Sequence, residues 1–371
     1  MHSDASALKG AAPPDFERDV HCLLGLPIDA IDLAEAQRRI RAAAATRMPC
    51  FMSTPNVNFV VHSRSDKAFR NAVLHSDLSV ADGMPLVWLA RLIGIPLPER
   101  VAGASLFEAL RGGDGRPLRV YFFGGSAGVA EEAGRQLARE AKGLVCVGYE
   151  SPGFGSIEDM SSEETIRRIN ASNADLLVVS LGARKGQAWI ERNRARLDVP
   201  VVSHLGAVVD FAAGTVRRAP PWMQRAGLEW LWRIREQPAL WRRYLVDGSA
   251  LVLLLLTRVL PYVWYARRHA AGAPAEGHVE AREEYTVALR GVWTRANIDV
   301  LRRSFTTAAQ SGKDVRLDMT AVSHVDSAFV GLLMLLRAYL QQRGRRLAIE
   351  PVPRAVRRVI EYCCAEFLCH A

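Results

Sequence analysis

A carboxylate, a hydroxyl and an amide stand at the ends of two apolar runs in this chain, and together they could take a proton from an alcohol. The run Leu78-Ser79-Val80-Ala81 leads into Asp82-Gly83-Met84-Pro85, and Pro49-Cys50-Phe51-Met52-Ser53 leads into Thr54-Pro55-Asn56. An apolar run before a glycine turn reads as a buried strand opening onto a loop, where sheet enzymes carry their reactive groups. Asp82 is the candidate base, with Thr54 and Asn56 near it. Plainer readings exist: Asp-Gly is a common turn pair, and Thr54 or Asn56 could simply cap a helix whose backbone Pro55 presets. Gly124-Gly125-Ser126-Ala127-Gly128 follows a third apolar run; it could cradle a phosphate at a helix N-terminus or be a structural turn. It is not a full G-x-G-x-x-G, which argues against a nicotinamide dinucleotide and hence an oxidoreductase. In Gly182-Ala183-Arg184-Lys185-Gly186-Gln187, Lys185 and Gln187 could hold a uracil, a ribose or a phosphate, although a capped surface turn explains that loop almost as well. His62, His75 and His204 are scattered singly and read as structural, so neither a metal nor a cofactor is expected.

Positioning these groups requires a sheet. From about Leu24 to Gly214, helical and strand patterns alternate as in an α/β domain with a largely parallel sheet. Helices are expected over Ile28–Thr46, Val57–Leu74 and Val129–Ala141, with strands over Cys50–Met52, Leu118–Phe123, Leu176–Ser180 and Val199–Ser203. Residues 220–269 form a basic, aromatic appendage, and 270–284, with Gly272, Pro274 and Gly277, read as a linker. A second, small α/β pattern occupies 285–371, with strands at Val315–Met319 and Arg346–Ile349 around a helix over Val330–Gln342. Residues 1–23 are expected to be disordered.

At 371 residues, 49% hydrophobic and 23% charged, the chain is globular in composition and long enough for two cores. Its net charge of +9 is concentrated in one place. Between Gly214 and Ala270 stand Arg217, Arg218, Arg225, Arg233, Arg235, Arg242, Arg243, Arg258, Arg267 and Arg268, opposed only by Glu229, Glu236 and Asp247, and interleaved with Trp222, Trp230, Trp232, Trp241 and Trp264. Arginine with tryptophan suits an anionic membrane surface or phosphate groups; no nucleic-acid partner is expected. The 6 cysteines show no metal-ligand spacing and read as thiols in a reducing compartment. Met1 to Arg18 lacks the apolar core of a secretion signal, which predicts a cytoplasmic location.

Taken in order, Thr54-x-Asn56, Ala81-Asp82-Gly83, Glu99-Arg100-Val101-x-Gly103, Phe123-Gly124-Gly125, Asp210-Phe211-x-x-Gly214, Arg218-Ala219-Pro220 and Gly227-Leu228-Glu229-Trp230 resemble the motifs of the WecG/TagA/CpsF glycosyltransferases, over about Leu24 to Leu245. The resemblance implies a Rossmann-like catalytic domain at 24–219. It further implies an inverting, metal-independent enzyme of bacterial polysaccharide assembly, moving a sugar from a UDP-sugar to a polyprenyl-diphosphate-linked saccharide. Asp82 matches the general base and Thr54 and Asn56 line the pocket. Arg233 and Arg243 match arginines that meet the diphosphate, and Arg100, Gly124, Gly125, Lys185, Gln187 and Asp210 complete the expected substrate-binding set. The appendage is implied to close over the site and hold the protein on the inner face of the cytoplasmic membrane.

Two departures stand out. Arg184-Lys185-Gly186-Gln187 replaces the family's Pro-Lys-Gln-Glu, and Leu240 occupies a position usually basic. The missing glutamate leaves a second reading open, a degenerate nucleotide-sugar-binding regulator.

The apolar run Leu251–Leu256 reads as too short to span a bilayer, and Arg258 would fall inside any span. An interfacial helix is expected, with a homo-oligomer interface or a shallow insertion as alternatives. In the last domain, Val315-Arg316-Leu317-Asp318-Met319-Thr320, Val325-Asp326-Ser327-Ala328 and Gly331-Leu332-Leu333 resemble a STAS domain. That resemblance implies a regulatory or docking role toward a STAS-binding protein. It also implies phosphorylation of Ser327, although Asp326 and Ser327 as a plain helix cap is the simpler account.

Overall fold

The computed structural model describes residues 15–140, 142–153, 155–269, 277–282 and 286–369. The chain opens on an antiparallel hairpin, β1 (Val20–Leu23) and β2 (Leu26–Asp29), turned by Leu24 and Gly25 at positive φ. There follow α1 (Leu33–Thr46), β3 (Cys50–Ser53), α2 (Val57–Ser65), α3 (Lys67–Leu74), β4 (Leu78–Ser79), α4 (Met84–Leu92) and α5 (Gly103–Gly112). Next come β5 (Leu118–Gly124), α6 (Val129–Glu140), β6 (Leu144–Glu150), α7 (Glu163–Ala171), β7 (Leu176–Ser180), α8 (Ala183–Asn193), β8 (Val201–His204) and α9 (Val208–Ala212).

Strands β3 to β8 form one six-stranded sheet in the order β4-β3-β8-β7-β5-β6, every pair parallel. The α/β expectation holds. Alternate residues serve opposite faces, as the two-residue strand period requires. Met52, Val120, Phe122 and Val178 pack under α1, α5, α6 and α9, while Phe51, Tyr121, Phe123, Leu177 and Val179 pack on Trp189 and Ile190 of α8. From β5 the chain crosses toward β6, and from β7 it crosses the other way toward β8. The adjacent ends of β5 and β7 are therefore a topological switch point, where sheets of this kind leave a crevice.

The expected helix over Val57–Leu74 is two helices, because Asp66 accepts from the Phe69 N–H and caps a new start. The expected helix from Ile28 begins only at Leu33, capped by Asp32, since Leu26–Asp29 pairs with β1 instead. The N-terminal expectation is also corrected. Residues 1–14 lie outside the described residues, but Phe16, Val20 and Cys22 are core residues.

The appendage comprises α10 (Pro221–Arg225), α11 (Glu229–Glu236), α12 (Trp241–Leu254) and α13 (Leu260–His269). A π-helical turn at Leu255–Val259 joins the last two. Pro261 has no N–H to donate, and the Leu260 N–H reaches back to the Leu255 carbonyl, which absorbs the defect without breaking the helix. The result is one helix of 32 residues from Pro238 to His269, long and apolar enough to cross a membrane by length and composition alone. The expectation of a segment too short to span is corrected on that point. Its inner side, however, is covered by protein. Leu254 and Val259 join the core around α2–α4, and Tyr262 and Tyr265 enter the core of the last domain. Arg258 donates to the Glu361 carbonyl (2.8 Å) and pairs with Glu366 (3.0 Å).

The last domain contains β9 (Gly277–Arg282), β10 (Thr286–Trp293), α14 (Ile298–Gln310), β11 (Val315–Val325), α15 (Ser327–Gln341), β12 (Leu347–Ile349) and α16 (Arg354–Tyr362). Its sheet runs β12-β11-β10-β9, with only β9 antiparallel to its neighbour. Part of the expected linker is thus strand β9; residues 270–276 and 283–285 lie outside the described residues. Helix α15 is apolar nearly all round because both sides are covered, by its own sheet and by β1 with α3. Its first residue, Ser327, is buried rather than presented to solvent.

Candidate active site

Strand ends β3 and β4 deliver the first three residues as expected and tie them together. The Val80 N–H donates to the Ser53 carbonyl (3.0 Å) and the Asp82 N–H to the Pro55 carbonyl (2.8 Å), so the two exits move as one. Thr54 is buried. Asn56 spends its Oδ1 on the Phe59 N–H (3.2 Å) as the cap of α2.

Asp82 lies partly buried at the N-terminus of α5, whose first amide, Gly103 N–H, donates to its Oδ2 (3.3 Å). A Cβ on Gly103 would come within 2.7 Å of Leu205 Cδ2, so any larger residue there would have to push Leu205 aside. Burial pushes the Asp82 carboxyl up to about 6, with Glu229 adding to the rise. Arg100, the Gly103 N–H and Arg218 oppose it. Arg100 is drawn aside into an ion pair with Glu229 (2.5 Å), and Arg218 donates to Ser105 Oγ (2.7 Å). The balance leaves a carboxylate ionised at neutral pH yet more basic than a free one, which is what proton abstraction asks of it.

Beyond Leu205 lies the switch-point crevice. Gly124 and Gly125 both have positive φ, and the Gly125 N–H donates to the Ser180 carbonyl (2.8 Å). A Cβ on Gly124 would overlap that same carbonyl, so the glycine lets β5 and β7 close up at their ends. Asp210 on α9 has its carboxyl raised by burial and countered by Arg233, whose guanidinium lies 5.5 Å above the Phe211 ring. Gly125 abuts Val209 of the same helix. Gly124, Gly125, Asp210 and Arg233 thus gather around α9 and the ends of β5 and β7, and Thr54, Asn56, Asp82 and Arg100 around the exits of β3 and β4.

Three expected residues do not join them. Gln187 is fully buried, and its Nε2 donates to Ser53 Oγ (3.3 Å), which in turn meets Ser76 Oγ (2.6 Å); it braces β3 from beneath. Its place on the inward face of α8 is the reason. Lys185 is exposed and donates to the Gly155 carbonyl (3.1 Å), while Arg184 beside it pairs with Asp66 (2.8 Å). Arg243, exposed on α12, lies over Tyr244, and its charge faces Asp247, a buried acid held by Asn58 Nδ2 (3.1 Å).

Sequence reasoning passed over three residues that the fold brings in. Arg218 and Glu229 bear directly on Asp82, and both lay in quoted motifs without a role attached. Gly103 is the third. His204, expected to be structural, ends β8 with its ring packed where Gly186 and Gly206 leave room; burial lowers it to about 4, so it is neutral. The appendage seats Gly227 on Trp88 and Met84 of α4, which carries Glu229 to Arg100. Among the described residues, no three His, Cys, Asp or Glu side chains cluster closely enough to hold a metal ion.

A parallel doubly wound sheet with a basic carboxylate at one strand exit and a glycine turn at the switch point is an enzyme architecture of the α/β class. The glycosyl transferase WecG/TagA/CpsF family model matches residues 21–263, and the chain belongs to that family: it is a glycosyltransferase. A second model, described as an Mlab, STAS domain, matches residues 277–364. Among curated relatives, an N-acetylglucosaminyldiphosphoundecaprenol N-acetyl-beta-D-mannosaminyltransferase of Bacillus spizizenii is 31% identical over 196 residues, 53% of this chain and 74% of the relative. Enzymes of the same name from Bacillus subtilis and Staphylococcus aureus are 27% identical (55% and 78% covered) and 23% identical (57% and 82% covered).

Proposed function

We propose that the protein transfers a sugar, N-acetylmannosamine being the first candidate, from a UDP-sugar to a hydroxyl of a polyprenyl-diphosphate-linked saccharide, with inversion. Asp82 carries the reading. A sugar hydroxyl is too weak an acid to attack at neutral pH, and a carboxylate poised near 6 can take its proton as the new bond forms, a contribution of about 10²–10⁴-fold. The departing diphosphate gains negative charge. Arg233, the glycine turn at Gly124-Gly125 and the amides opening α6 are the groups this reading assigns to receive it. Attack from the face opposite the leaving group inverts the anomeric carbon without a covalent intermediate.

The lipid acceptor stays in its membrane, so the enzyme must go to it. Trp88 and Leu92 of α4, Trp222, Trp230 and Trp241, and Leu245, Val246, Val252, Leu253, Leu256, Leu260 and Trp264 are all exposed, with Arg225, Arg242, Arg267 and Arg268 among them. An apolar face rimmed by arginine on a helix whose other side is covered supports an interfacial helix on the cytoplasmic leaflet. The deciding experiment is mass-spectrometric detection of product from a panel of UDP-sugars with a short-chain diphosphate-lipid acceptor, for wild type and Asp82→Asn. Product from wild type and its loss in the variant supports the reading. Equal rates for the two would end Asp82's role.

A further inference from the structure

The serine that the STAS resemblance marks for modification lies in a seam between the two domains. Ser327 is 5% exposed, and its Oγ stands 3.1 Å from Nδ1 of His21 in β1. His21, 2% exposed, has its Nε2 3.3 Å from Asp19, and Asp19 takes Arg295 at 2.9 Å. Strand β1 can lie this close to α15 because Gly331, one turn beyond Ser327, has no side chain; a Cβ there would overlap the Val20 carbonyl. Arg302 of α14 donates to the Arg18 carbonyl (3.1 Å), and Gly25 of the hairpin turn would meet the Cys364 carbonyl at 2.8 Å if it bore a Cβ.

From this seam a buried polar chain runs to the catalytic edge. Arg18 holds Asp29 through two hydrogen bonds (2.7 and 3.0 Å) and donates to the Ser76 carbonyl (2.8 Å). Asp29 accepts from the Ser79 N–H (2.7 Å), and Ser79 Oγ donates to the Pro27 carbonyl (2.6 Å). Ser79 ends β4, and Asp82 follows three residues later. Strand β4 is only two residues long and lies at the sheet edge, so β3 holds it on one side and the Asp29 carboxylate meets it from the hairpin.

We propose that the face of the STAS domain around Ser327 is a docking surface whose occupant is this chain's own β1, and that the docked domain braces β4 and thereby positions Asp82. Ser327 marks the seat, and the brace itself runs through β1, Arg18 and Asp29. A phosphoryl group on its Oγ would have to displace His21 and stand beside Asp19 and Asp326, so the seated face is closed both to modification and to a separate regulatory protein. The link to β4 is physical, through named hydrogen bonds, and it makes coupling measurable.

The test uses the full chain with Gly331→Ala, which wedges β1 off the helix, Ser327→Asp, which puts a charge in the seam, and Ser327→Ala, which removes one hydrogen bond. Hydrogen exchange is followed without substrate in peptides covering residues 18–24 and 76–83. The expected result is exchange at least ten-fold faster in both segments for the first two variants, with β5–β6 unchanged and Ser327→Ala within three-fold of wild type. Turnover, which rests on the transferase reading, should fall about ten-fold with the donor KM within two-fold. Faster exchange at 18–24 with none at 76–83 would refute the brace. Wild-type behaviour of Ser327→Asp, or phosphate found on Ser327 of the folded protein, would refute the closed face. If Ser327→Asp unfolds throughout, Gly331→Ala decides alone. A silent transferase assay with the exchange pattern intact would point to the activity assignment instead.

Discussion

Replacing Asp82 by asparagine should stabilise the fold while stopping the chemistry. In the folded chain its carboxyl moves from 3.8 to about 6, chiefly through burial, so the folded state holds that proton more tightly than the unfolded one. Stability therefore falls as pH rises between these two values. Above the window the ionised carboxylate costs up to about 3 kcal/mol, the free-energy equivalent of the difference. The amide of Asp82→Asn carries no such cost, and its oxygen can still accept from the Gly103 N–H. Urea unfolding at pH 8 should show the variant more stable by up to about 3 kcal/mol, and at pH 4 the two proteins should nearly coincide. Over the same comparison the transfer rate should drop by about 10²–10⁴-fold. A variant no more stable at pH 8 than wild type, or stabilised equally at both pH values, would show that Asp82 is not a strained, desolvated base.

Glu229→Gln removes a negative charge that raises Asp82 and releases Arg100 from its ion pair, so the acidic limb of the pH–rate profile should move to lower pH; a limb that stays put would disconnect that pair from the base. Gly124→Ala forces a side chain into the Ser180 carbonyl at φ 104°, and should cost about 1–3 kcal/mol in urea unfolding and weaken UDP binding by calorimetry. Leu253→Glu, at a site 62% exposed on the outer side of α12, should leave stability within about 0.5 kcal/mol while cutting flotation with anionic vesicles; undiminished flotation would remove this helix from the membrane surface.

The parallel sheet was legible because its strands are continuous apolar runs, and Asp82, Thr54 and Asn56 were legible because each ends such a run. Arg218, Glu229 and Gly103 escaped because their effect on Asp82 comes from segments far apart in the chain. Gln187 misled for a related reason: in a string of loop-like polar residues nothing tells which one turns inward on a helix that the string itself begins. The appendage helix was underestimated since Arg258 reads as a break, whereas the fold gives it the Glu361 carbonyl and Glu366. The N-terminal residues looked dispensable because their partners lie in the last domain, beyond the reach of any local pattern.

His21 and Ser327 are separated by 306 positions, and that interval sets an order of events at the ribosome. At about 5–20 residues per second, roughly 15–60 s pass between the synthesis of β1 and of the helix it rests on. During that time Phe16, Val20 and Cys22 have no finished core to enter. A nascent chain cut short anywhere before α15 keeps these side chains uncovered, a ready mark for chaperones and proteases. Burial of β1 therefore waits on the synthesis of α15.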